Sequence, residues 1–118
     1  MRWDHNGHYH RLVLRQIPRR PHRALDVGCG AGELASALGR RCAEVVAVDR
    51  SEAMTSVARR RVPGNVRVVT GDVMELDLPA ESFDVVTCLA VLHHLTLEAA
   101  LIRLRTAMRN GGVVVVLG

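Results

Sequence analysis

Two hydrophobic periods take turns along the chain, one near 3.6 residues and one of short strand-like runs. Tyr9, Leu12, Val13, Gln16 and Ile17 share one helical face, which Pro18 ends. RALDVG (23–28) predicts a buried strand, and residues 31–40 predict a helix with Leu34 and Leu38 inward. EVVAVD (44–49) predicts a second strand. Ser51 stands where an N-cap is needed for a helix through Arg61, with Met54, Val57 and Ala58 on one face. VRVVT (66–70) and FDVVTCLA (83–90) predict a third and a fourth strand. The intervening GDVMELDLPAES is too polar, and too marked by proline, to form a long element. Thr96 can cap a helix carrying Leu97, Ala100, Leu101, Leu104 and Met108, and NGG then turns the chain into VVVVLG, a strand apolar on both faces.

Strands apolar on both faces that alternate with helices imply a parallel sheet covered on both sides. The expected fold is therefore a doubly wound α/β sheet. Its ligand site should lie at the carboxyl ends of the strands, near the switch point beside the first. The final strand runs to Gly118 and would leave an unpaired outer edge, an aggregation hazard unless something covers it. A shortened chain, or an assembly that completes the sheet, is the expectation from that edge.

At 118 residues the chain is read as one domain, with 1–20 as a helix or lid segment and 21–118 as the core. All 16 basic residues are arginine, which reads as coding bias, and two of the clusters fall at expected helix C-termini, where cations suit the dipole. Trp3, Tyr9 and Phe83 are the only aromatic residues, too few for base stacking, so nucleic acid is not the expected partner. Cys29, Cys42 and Cys88 form no CxxC pair, which suggests reduced thiols in a cytoplasmic setting. No apolar signal segment opens the chain and no run is long enough to span a bilayer.

The loop after the first strand carries the most chemistry. Gly28, Gly30 and Gly32 make G-x-G-x-G rather than the dinucleotide pattern G-x-G-x-x-G, whose third glycine position is here Glu33. Asp26 stands two residues before Gly28. Two carboxylates around the loop repel a pyrophosphate and favour a ligand that places positive charge beside an adenosine. Asp49 ends the second strand, where a carboxylate can accept from both ribose hydroxyls. Asp72 follows the third strand and can accept from an adenine amino group while the Val73 amide donates to the ring. Three acids thus end three strands.

With these residues in place the chain resembles the class I S-adenosylmethionine-dependent methyltransferases, from about Tyr9 onward. LDVGCGAG, VVAVDRS, GDVMELDLP and FDVVTCLAVLHHL are similar to four successive motifs of that family, and MRNGGVVVVLG is similar to its turn into the fifth strand. The nearest likeness is to small-molecule enzymes of the quinone-biosynthesis type. The resemblance implies a three-layer Rossmann-like fold in strand order 3-2-1-4-5, lacking the last two strands of the family's seven. It implies S-adenosylmethionine as cofactor and S-adenosylhomocysteine as product. Asp26, Gly28, Cys29, Gly30 and Gly32 would surround the methionine part, and Asp49, with Arg50 and Met54 nearby, the ribose side. Gly71, Asp72 and Val73 would hold the adenine, and Leu89 and Ala90 would flank the sulfonium. His5, His8, Tyr9 and His10 at the opening of the first helix read either as a lid, with Tyr9 contacting the cofactor, or as a solvated N-terminus.

Methyl transfer from a sulfonium needs alignment and exclusion of water more than an obligatory catalytic group. His93 and His94 follow the fourth strand and are the candidate general bases, against the plainer reading that they orient the loop or cap the next helix. HNGHYH has no recurring carboxylate or cysteine at ligand spacing, so no metal is expected. Cys29 reads as a small space-filler, and Met54 and Met108, by helical spacing alone, as core. The leading expectation is methyl transfer to a small molecule. The alternative is a non-catalytic domain that binds the cofactor and associates through its open sheet edge, as a homodimer for example. The Gly32 spacing and Glu33 count against an NAD-dependent oxidoreductase. Leu89 and Ala90, where acids would be wanted, count against aminopropyl transfer.

Overall fold

The computed structural model describes residues 5–89 and 94–117. Its elements are α1 (His5–Gln16), β1 (Arg23–Val27), α2 (Glu33–Gly39), β2 (Glu44–Asp49), α3 (Glu52–Arg61), β3 (Val66–Thr70), β4 (Phe83–Leu89), α4 (His94–Ala107) and β5 (Met108–Leu117). The five strands form one parallel sheet in the order β3-β2-β1-β4-β5. The expected doubly wound order is therefore the observed one.

Alternate strand residues feed two cores, as the pleat requires. Ala24, Val45, Ala47, Val66, Val85 and Val115 face α1 and α2, meeting Val13, Ile17, Leu34 and Leu38. Leu25, Val48 and Val86 face the other way, toward Leu104 and Ala107 of α4. The crossover from β3 to β4 passes to the far side of β1, so the loops after β1 and β4 part from each other and open a crevice between them.

Several local expectations need correction. Val13 of α1 and Ile17 just past its end are buried while Leu12 and Gln16 face out, because only that stripe packs into the first core. Met54 of α3 is 41% exposed, and the buried positions on that helix are Thr55 and Ala58. Thr55 is tolerated inside because its hydroxyl lies 2.6 Å from that of Thr70. α2 starts at Glu33 with Gly32 as its N-cap, not at residue 31. Thr96 lies inside α4, which begins two residues earlier, so it is no cap. Met108 starts β5 instead of ending a helix, and packs only partly buried against the second core. NGG is an irregular stretch inside β5, between the pairs Phe83–Met108 and Val85–Val113. Val114 and Val116 of β5 are 37% and 41% exposed, so the side of that strand facing the α4 layer is only half covered.

Other expectations hold closely. β2 and β3 have the predicted limits, and the Ser51 side chain accepts from the Met54 amide at the start of α3. Residues 71–82 form neither helix nor strand. Two side chains brace the loops: Asn65 donates to the Gly39 and Cys42 carbonyls at the end of α2, and Arg41 donates to Leu14 O and Pro18 O at the end of α1. Leu38→Ala should cost about 2–5 kcal/mol in urea unfolding, because a fully buried side chain leaves a cavity. Ile102→Ala, at 73% exposure, should stay within about 0.5 kcal/mol.

Candidate functional site

A cavity of about 250 Å³ opens at the carboxyl ends of β1, β2 and β4. Gly28, Asp49, Arg50, Gly71, Asp72, Val73 and Leu89 line it, as do Val27, Val48, Met74, Cys88, Leu97 and Ala100. Seven of the residues expected at a ligand site are thus brought together. A larger open hollow of about 540 Å³ lies at the opposite ends of the strands, beside Asp84, Arg109 and Gly112. Of its two carboxylates, Glu81 and Asp84, the second is already engaged: Asp84 accepts from the His22 and Arg23 amides and from the Arg109 guanidinium.

The glycine loop is shaped by hydrogen bonds to β2. The Gly28 and Cys29 amides both donate to Val48 O, at 2.8 and 3.0 Å. Gly28 has φ +79°, and a Cβ there would meet the Leu89 Cβ at 3.1 Å, so only glycine lets the loop lie against the end of β4. Gly32 has φ +87° and faces Ala58 and Val62 rather than the cavity, which makes it a packing glycine between α2 and α3. A Cβ at Gly30 would stand 3.6 Å from the Met54 methyl, and neither residue lines the cavity. Cys29 is buried in the first core, and burial together with Asp26 and Asp49 pushes its thiol up to about 12. At neutral pH it is an inert thiol, as a space-filler should be.

The three acids differ in how far they are already satisfied. Asp49 accepts from the Gly30 amide through Oδ2 and from the Ser51 amide through Oδ1, each at 2.9 Å, so it clamps the loop after β1 to the turn before α3. Asp72 uses Oδ1 for the Met74 amide at 2.9 Å. Its main-chain carbonyl accepts from the Glu75 and Leu76 amides, and none of these bonds uses the Val73 amide. Asp26 is 3% exposed, and its Oδ1 accepts from Thr87 at 2.7 Å. Its Oδ2 is buried with no partner. Burial is the main cause that raises its pKa to about 6; the Thr87 bond opposes the rise and nearby Asp49 adds to it.

Thr87 was not legible as a site residue, although its register opposite Asp26 places the two side chains on one face of the sheet. Leu97 and Ala100 read as core by spacing and prove to wall the cavity. Ala90 and His93 lie outside the described residues. His94 begins α4 and Tyr9 lies within α1, but their side chains are outside the described residues. No group of three His, Cys, Asp or Glu among the described residues could hold a metal ion. No described helix is long and apolar enough to cross a membrane.

The fit to an adenosine-bearing cation can be tested on these residues. One buried carboxylate oxygen lacks a donor, the loop that follows admits no side chain at Gly28, Asp49 ends β2 and Asp72 follows β3. The sequence profile of the methyltransferase domain family matches residues 25–116, which spans the loop, all three acids and the cavity walls. The chain belongs to the class I S-adenosylmethionine-dependent methyltransferases. It is 37% identical over 116 residues to an uncharacterized methyltransferase of Mycobacterium tuberculosis, covering 97% of this chain and 59% of that protein. A ubiquinone biosynthesis O-methyltransferase of Stutzerimonas stutzeri is 39% identical over 98 residues, covering 78% of this chain and 42% of the relative. Among solved structures, an S-adenosylmethionine-dependent methyltransferase of Mesorhizobium loti superposes with TM-score 0.78 at 25% identity, over 90% of this chain and 51% of that one. The chain therefore spans between 42% and 59% of the length of these relatives.

Asp26 makes a pH-dependent prediction for the ligand-free protein. Its folded pKa lies above the ordinary carboxyl value, so the fold holds the proton longer than the unfolded chain does. That contribution to stability is fully present below the unfolded pKa of 3.8 and is lost as pH rises to about 6. Asp26→Asn should remove this slope and leave the free protein more stable at pH 7, by up to about 3 kcal/mol. Urea unfolding across pH 4–8 checks it, and a less stable variant at pH 7 contradicts it.

Proposed function

We propose that this protein binds S-adenosylmethionine in the cavity and passes its methyl group to a small-molecule acceptor by in-line displacement. The observation that carries the reading is the Asp26 Oδ2, buried without a donor on the strand that leads into Gly28, where the end of β4 leaves no room for a side chain. When bound, S-adenosylmethionine supplies a methyl on a sulfonium, whose thioether is a good leaving group. The chain's own part is to seat, orient and dry that group. Asp26 offers its second oxygen to the amino group of the methionine part, with Gly28 and Gly30 allowing close approach. Asp49 keeps lone pairs for the ribose hydroxyls beyond the two amides it already holds. Asp72 offers Oδ2 to the adenine amino group, and the Val73 amide donates to the ring. Leu89 and Ala90 flank the methyl and exclude water, and Tyr9 closes over it. His93 or His94 takes a proton where the acceptor must lose one.

The likeness to O-methyltransferases of ubiquinone biosynthesis makes a hydroxyl oxygen of a quinone-type small molecule the first acceptor to test. The three free, buried cysteines suit a reducing, cytoplasmic setting. A second reading, a cofactor-binding module that associates through β5, draws on exposed Val114 and Val116 on that edge strand. Light scattering after size exclusion separates them: a monomer that turns over removes the second reading.

Binding of S-adenosylhomocysteine by calorimetry tests the cofactor site directly. The expected result is measurable heat at micromolar ligand, weakened at least about tenfold in Asp49→Ala and Asp72→Ala. No heat at high micromolar ligand would sink the proposal.

A further inference from the structure

The turn that follows β3 is held from two sides. Its amino end is tied to β2 by the Gly71 amide, which donates to Asp49 O at 2.9 Å. Within it, the Met74, Glu75 and Leu76 amides all converge on Asp72. The Val73 and Leu76 carbonyls are both taken by a single side chain of α4. Arg103 donates from Nε to Val73 O at 2.6 Å and from Nη2 to Leu76 O. No strand ladder holds this segment, since β3 ends at Thr70 and β4 starts at Phe83.

We propose that Arg103 is the positioning residue of the adenine-facing turn: its guanidinium, bridging Val73 O and Leu76 O, sets the placement of Asp72 and the Val73 amide. This rests on the proposed adenine role of that turn. A planar fork with fixed donors spans two carbonyls three residues apart, which a lysine ammonium on a flexible stem does far less well. The base of Arg103 is itself fixed, because its neighbour Leu104 is fully buried under the sheet. The same helix supplies Leu97 and Ala100 to the cavity wall. One rigid element therefore both walls the pocket and clamps the turn that reads the base, and Arg103 acts without touching the ligand.

The test pairs a ligand comparison with a ligand-free one. Calorimetry of wild type, Arg103→Ala and Arg103→Lys is run with S-adenosylhomocysteine and with S-inosylhomocysteine, whose base carries oxygen in place of the amino group. Wild type should prefer the adenosine form at least about tenfold. In Arg103→Ala that preference should fall toward one, chiefly through weaker binding of the adenosine form, and Arg103→Lys should fall between. Amide exchange of Glu75 and Leu76 in the free protein should quicken about tenfold in Arg103→Ala while Val68 in β3 is unchanged. Unchanged preference, or unchanged exchange at the two amides, overturns the inference. If wild type binds neither ligand, the cofactor proposal falls, and the exchange comparison still decides whether Arg103 holds the turn. Should the alanine variant not fold, Arg103→Lys carries the same comparison with a smaller expected change.

Discussion

Asp26 stands on the middle strand of the sheet, where an ionised carboxylate is costlier to bury than one neutral hydroxyl can offset. Thr87, in register on the neighbouring strand, satisfies one oxygen and the other stays without a donor. The raised pKa is the measure of that imbalance. A strand position that served packing alone would carry an apolar residue here, as Ala24 and Ala47 do on the same face. Keeping a carboxylate at this position therefore costs the ligand-free fold stability.

The rest of the site follows from holding loops around that carboxylate. Asp49 clamps the glycine loop to the start of α3, so the acid at the end of β2 acts as a strut between them. Gly28 lets the loop after β1 lie against Leu89 at the end of β4. On the far side, α4 reaches the turn after β3 through Arg103. Loops without ladders of their own are thus fixed by charged side chains from more rigid neighbours, and a bound adenosine would meet a largely formed surface.

Much of this was legible in the sequence because parallel strands buried on both faces announce themselves as short apolar runs. The limits of β2 and β3 fall on EVVAVD and VRVVT for that reason, and the strand order and the three acids at strand ends follow. Helix faces were harder. On α1 a stripe including Leu12 looked as good as the true one, and α3 hides Thr55, whose burial depends on a hydroxyl partner that periodicity does not count. Met54 was ambiguous for the opposite reason: an apolar side chain left exposed beside Gly30. Thr87 and Arg103 were invisible because their roles come from contacts 61 and 30 residues away in sequence. No local pattern distinguishes such an arginine from the others in a chain where arginine supplies every basic residue.

The central claim is that the unpartnered oxygen of Asp26 awaits a positive group. It is tested most directly by following the Asp26 carboxyl carbon by NMR through a pH titration, with and without saturating S-adenosylhomocysteine. The free protein should show a midpoint near the raised value of about 6, and the ligand's amino group should pull it down toward or below the ordinary 3.8. A midpoint that stays at the free-protein value while the ligand is demonstrably bound would contradict the account.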